Sequence, residues 1–256
     1  MFHKIGNIKI CIEKDYEGMS LRAAYIFATQ VAKKPHGAFG FATGGTPVGM
    51  YKELIEKNKR GELDFSQMTT FNLDEYHPIK PDNNQSYRYF MEQNLFNHVN
   101  LKKDNINLLN GEAEDALLEC KAYEDRIRLV GGIDLQILGI GNNGHIGFNE
   151  PDDYFSGSTS LVHLAESTID ANARFFENRD QVPRQAMSMG IRSIMSAKEI
   201  LLLASGANKA RIVADMLIGR VTPQVPASIL QFHQNVTVVL DEAAADDIRL
   251  MLGYKN

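Results

Sequence analysis

Asn142, Asn143, His145 and Glu150 crowd into one stretch, "GIGNNGHIGFNEP", residues 139–151. Histidine is the side chain best matched to moving protons near neutral pH. A carboxylate beside it raises its pKa and fixes its tautomer. The same stretch contains G-x-G-x-x-G at Gly139, Gly141 and Gly144, the fingerprint of a dinucleotide-binding turn. That fingerprint needs a helix opening at its third glycine. Here Gly147, Pro151, Gly157 and a cluster of Asp and Ser break any long helix. Two readings stay open: a proton-transfer loop, or a surface histidine beside a capping asparagine.

Two more stretches combine turn residues with reactive groups. "ATGGTP" sets Thr43, Gly44, Gly45 and Thr46 ahead of Pro47 and a helical pattern. Paired glycines let backbone N–H groups approach a ligand, and a helix N-terminus favours an anion. This reads as a phosphate cradle, or as a βα turn that needs glycine for its geometry. It is not a Walker A loop, because G-x-x-x-x-G-K-[ST] is absent. "FNLDEY" ends a strand-like run with Asp74 and Glu75. Neighbours in an extended segment point to opposite faces. If one of the two is catalytic, the other is solvated or structural; an ordinary solvated turn is the alternative. A bound phosphate also needs cations. Arg174 in "ANARFF" and Lys209 in "SGANKAR" are candidates, each competing with an ordinary surface role.

These loops must be held by regular elements. Apolar runs at 8–12, 37–43, 68–74, 133–140, 199–205 and 235–241, with "TSLVHL" (159–164), predict strands. Amphipathic segments at 20–34, 46–61, 85–99, 115–131, 167–176 and 208–219 predict helices, with Ser86 a cap. Continuous apolar strands alternating with helices predict an α/β fold: a Rossmann-like, doubly wound, mostly parallel sheet with helices on both faces. Ligands in such folds sit at the carboxyl ends of the strands, where all three loops fall. The expected organisation is one domain, residues 1–256.

Composition narrows the classes. With 256 residues, 44% hydrophobic and 23% charged, the chain can bury a sizeable core. A net charge of −5 without a basic stripe argues against nucleic acid as partner. Cys11 and Cys120 form no CxxC and read as core thiols. The N-terminus lacks the apolar region of a signal peptide, and no apolar run approaches the roughly 20 residues of a membrane span. The expectation is a soluble, cytoplasmic protein.

Together, "TGGTP", "FNLDEY" and "GIGNNGHIGFNEP" closely resemble the glucosamine-6-phosphate deaminase (isomerising) family. The likeness extends to "INLLNG", "ANARFF" and "VPASIL". Related 6-phosphogluconolactonases are similar around the histidine loop but continue as GHTASLFP, where this chain has "GHIGFNEP". The resemblance implies conversion of glucosamine 6-phosphate and water to fructose 6-phosphate and ammonia, with no cofactor or metal. It implies Asp74 as the base moving a proton between C2 and C1, and His145 as the group that opens the sugar ring. Glu150 and Asn143 would orient that histidine. Thr43, Gly44, Gly45, Thr46, Arg174 and Lys209 would hold the phosphate, and residues 165–183 would form a mobile lid.

Some members have Asp where this chain has Asn143, which cannot exchange protons. Allosteric members, activated by the N-acetylated sugar phosphate, carry two basic residues after "NEP". Ser160 and Val162 stand there instead. Non-cooperative kinetics are therefore expected. Galactosamine 6-phosphate as substrate, a lactonase on the same scaffold, and a homo-oligomer all stay open.

Overall fold

The computed structural model describes residues 3–173, 176, 178–249 and 251–252. Eight strands form the main sheet: β1 (His3–Ile5), β2 (Ile8–Glu13), β3 (Ala38–Phe41), β4 (Thr69–Asn72), β6 (Ile106–Asn107), β7 (Leu135–Leu138), β10 (Glu199–Ala204) and β11 (Val236–Asp241). Their spatial order is β1-β2-β11-β10-β7-β3-β4-β6, all parallel except the β1–β2 hairpin. Every residue of β3 and β7 is buried, and apart from Gln136 their side chains are apolar or absent, as a strand covered on both faces requires.

From β3 the chain winds outward through β4 to β6. It then returns to β7, on the other side of β3, and winds the opposite way through β10 to β11. The direction reverses between the paired neighbours β3 and β7. Right-handed crossovers put α1 (Tyr16–Lys33), α2 (Val48–Lys59) and α3 (Tyr87–Asn94) on one face. They put α4 (Ala116–Leu129), α6 (Ile191–Met195) and α7 (Ala210–Ile218) on the other. Contacts of α1 with α2, and of α2 with α3, fit that placement. The core between α1 and the sheet is aromatic: Phe27 packs against Phe39, Phe41 and Phe65.

Capping residues set the helix starts, and α1 begins at Tyr16, four residues ahead of the expected helix at 20–34. Ser86 caps α3 by accepting the Tyr89 N–H at 3.0 Å. Asp15 and Asp115 cap α1 and α4 in the same way. No helix of the described residues is long and apolar enough to cross a membrane.

A second, antiparallel sheet departs from expectation. It orders β5 (Asp74–His77), β9 (Gln185–Ser188) and β8 (Ser160–His163). The expected strand at 68–74 stops at Asn72. Leu73 then bridges the two sheets: its N–H donates to Phe41 of the main sheet, and its carbonyl accepts from Met189. Asp74 is thus the first residue of the smaller sheet. Tyr76, Phe148, Leu164, Ile169, Val182 and Ala186 form a hydrophobic cluster against it, apart from the main core. Within the expected helix at 167–176 the structure gives α5 (Glu166–Asn172). The expected helix at 85–99 ends at Asn94, followed by a single 3-10 turn.

Candidate active site

A cleft of about 990 Å³ opens where the winding direction reverses. The exits of β3, β7 and β10 and the start of β5 line it, as expected for ligands of doubly wound sheets. The structure brings together Asp74, Asn143, His145, Thr43, Gly44, Gly45, Thr46 and Lys209 on its wall. Glu150 stands behind His145, with its carboxylate 3.3 Å from the ring Nδ1. Arg174 lies outside the described residues.

The glycine loop owes its composition to the histidine. A Cβ on Gly141 would fall 2.3 Å from His145 Cε1, so only glycine leaves room for the ring. Gly144 adopts φ +88, which closes a tight turn in which its N–H donates to the Gly141 carbonyl. Asn143 ties the loop to itself. Its amide donates to Glu150 at 2.6 Å, and its carbonyl oxygen accepts the His145 N–H at 3.2 Å. Burial pushes the Glu150 carboxyl up. The His145 ring, the Thr168 hydroxyl and the Asn143 amide outweigh that and hold it down at about 2. An ionised Glu150 beside His145 suits a histidine that trades protons with a ligand.

Asp74 and Glu75 divide as extended neighbours must. Asp74 is 7% exposed, lines the cleft, and receives no hydrogen bond from any described residue. Burial, with the Glu75 charge beside it, pushes its carboxyl up to about 8. One of its oxygens lies 3.8 Å from where a Cβ would stand on Gly147, so Asp74 and the histidine loop meet there. Glu75 points the other way and is 2% exposed. It accepts the backbone N–H groups of Tyr76, Tyr87 and Arg88 at 3.0, 2.8 and 2.9 Å, which makes it a cap on α3. Burial pushes it up to about 7 against those donors. Glu75→Ala would leave two helix N–H groups without acceptors. The expected loss is about 2 kcal/mol, read as a lower urea midpoint.

The far end of the cleft suits an anion. Gly44 adopts φ +96, and no described residue accepts the N–H groups of Gly44, Gly45 or Thr46. All three residues line the cleft just ahead of α2. Lys209 donates to the Ile140 carbonyl at 2.8 Å, and burial lowers its pKa. A desolvated ammonium with no carboxylate partner gains most from a bound anion.

Tyr16, Tyr87, Thr168, Asp170, Ser205 and Asn208 also line the cleft and were missed by the sequence reading. Ser205 sits at the exit of an expected strand, a position that could have singled it out. Lone hydroxyls such as Tyr87 and Thr168 carry no such signal. Among the described residues, no group of three His, Cys, Asp or Glu side chains is placed to bind a metal.

A family model for glucosamine-6-phosphate isomerases/6-phosphogluconolactonase matches residues 17–239. The chain belongs to this family. A glucosamine-6-phosphate deaminase of Thermoanaerobacter sp. (strain X514) is 54% identical over 238 residues, covering 93% of this chain and 94% of the relative. The solved structure of a monomeric glucosamine-6-phosphate deaminase is 43% identical, with a TM-score of 0.90, covering 93% of this chain and 99% of that one. A 6-phosphogluconolactonase from Thermotoga maritima shares the fold, with a TM-score of 0.73 at 17% identity, covering 91% of this chain and 99% of the other.

Proposed function

We propose that the protein converts glucosamine 6-phosphate and water to fructose 6-phosphate and ammonia. The observation that carries this is Asp74: a buried carboxyl with no hydrogen bond from any described residue, lining the cleft and separate from the His145–Glu150 pair. Two independent proton-transfer groups match a reaction with two proton-transfer stages. His145 moves a proton between the ring oxygen and the anomeric hydroxyl, opening the sugar. Asp74 removes the C2 proton and returns it at C1 through an enolamine, while O1 gains a proton and the C2 amine gives one up. Water then hydrolyses the resulting C2 imine, releasing ammonia and the ketose. Asn143 orients His145 and Glu150 without exchanging protons. The Gly44–Thr46 donors and Lys209, with Arg174, hold the phosphate, whose binding energy aligns the reacting carbons.

In this reading the chain is one domain, and residues 165–183 close over the sugar and exclude water. Support comes from α5, whose Thr168 and Asp170 line the cleft while Ile169 is buried in the smaller cluster. A lactonase would have no use for a carbon base at Asp74. The test is ammonia release from glucosamine 6-phosphate beside galactosamine 6-phosphate, with 6-phosphogluconolactone hydrolysis measured in parallel. A higher kcat/KM for glucosamine 6-phosphate than for either alternative supports the assignment; faster lactone hydrolysis overturns it.

Saturation is expected to be hyperbolic and unmoved by N-acetylglucosamine 6-phosphate. Ser160 and Val162 border a second hollow of about 440 Å³, which no described Lys or Arg lines. A sigmoidal curve sharpened by that ligand would contradict this expectation.

A further inference from the structure

We propose that Thr168 is a positioning residue that couples α5 to the His145–Glu150 pair; this rests on the ring-opening role given to that pair above. The two Glu150 oxygens have different partners. Oε2 accepts the Asn143 amide at 2.6 Å and faces His145 Nδ1 at 3.3 Å. Both of those groups belong to Glu150's own loop. Oε1 accepts the Thr168 hydroxyl, which comes from α5, 18 residues along the chain. Thr168 is therefore the described contact through which another element grips this carboxylate.

The grip matters because His145 is loosely held. No hydrogen bond from a described residue reaches its Nδ1, since the Glu150 oxygen at 3.3 Å lies out of line. A modest rotation of the Glu150 carboxylate either aligns that contact or breaks it. With Oε2 alone anchored, the carboxylate is free to turn about that point. The Thr168 bond fixes the second oxygen and so fixes the rotation. Thr168 is itself well seated. It is 8% exposed, and its neighbour Ile169 is 1% exposed in the cluster with Tyr76 and Phe148. Arg179 binds both Glu166 and Asp170, fastening α5 along its length.

Thr168 also lines the cleft, as does Asp170 one residue beyond Ile169. A ligand that moves α5 therefore moves the donor that sets Glu150. The other charged groups on the cleft wall, Asp74, Asp170 and Lys209, make no hydrogen bond to Glu150. The coupling runs through one hydroxyl, and it links occupancy of the cleft to readiness of the histidine.

Thr168→Val keeps the shape and removes the donor; Thr168→Ser keeps the donor. With glucosamine 6-phosphate, Thr168→Val is expected to lower kcat about tenfold with KM within about twofold. Thr168→Ser is expected to stay within about twofold of wild type in both constants. On a Glu150→Gln background, adding Thr168→Val is expected to change kcat less than about twofold, because the residue acts through Glu150. Full kcat in Thr168→Val, a loss confined to KM, or effects that multiply in the double variant would overturn the coupling while leaving the proposed reaction intact. A wild-type protein that releases no ammonia would remove the proposed reaction and this role with it.

Discussion

Asp74→Asn is expected to lower kcat/KM for glucosamine 6-phosphate by about 10³-fold or more, leaving the fold intact. General-base catalysis is worth about 10² to 10⁴. Here the neighbouring Glu75 cannot substitute, because it is turned away and occupied by three backbone N–H groups. Loss of less than tenfold would show that another group removes the proton.

The same substitution has a stability consequence of opposite sign. Burial raises the Asp74 carboxyl from 3.8 to about 8. The folded state therefore binds this proton more tightly than the unfolded chain does. Its contribution to stability falls as pH rises from about 4 to about 8, and the full cost is present above 8. A neutral asparagine escapes that cost. Asp74→Asn is expected to melt above wild type at pH 9, with the difference gone near pH 4. On the role proposed for Asp74 the carboxyl must be ionised to act, so the acidic limb of kcat/KM is expected near pH 8 rather than near 4. On that proposed role, the chain gives up stability to keep a carboxylate that binds protons strongly enough to take one from carbon.

Gly141→Ala is the second large effect. Its Cβ would meet His145 Cε1, Nδ1 and Nε2 at 2.3, 2.4 and 2.5 Å, closer than real contacts allow. The ring must leave its place, and Glu150 then has no histidine to hold. We expect kcat to fall about 10²-fold, the scale of losing a general acid–base group, with KM changed far less. Gly139→Ala is the comparison: a Cβ there meets no protein atom, and its effect on kcat is expected to be smaller. Equal losses in the two variants would contradict this account of the loop.

Much of this was legible in the residues. The buried strands β3, β7 and β10 announced themselves as continuous apolar runs, and the parallel sheet followed. Ser86 read as a cap and is one. The failed dinucleotide motif pointed to a loop built for another purpose, and the packing of Gly141 on His145 explains its second glycine. Of the smaller sheet only β8 was legible, as the expected strand at 159–164. β5 and β9 are four residues each, and β5 carries Asp, Glu and His, so no alternation or apolar run marks either as a strand. Glu75 as a helix cap was hidden for another reason: it caps from 12 residues before Tyr87, a contact that only the tertiary fold creates. Thr168 likewise reaches Glu150 from 18 residues away.

The most direct test of the account is product stoichiometry. Wild type and Asp74→Asn would be given glucosamine 6-phosphate, with ammonia and fructose 6-phosphate both measured through the time course. Wild type is expected to give equal amounts of the two products, and the variant about 10³-fold less of both. Ammonia without fructose 6-phosphate, or unchanged release from Asp74→Asn, would contradict isomerising deamination with Asp74 as its base.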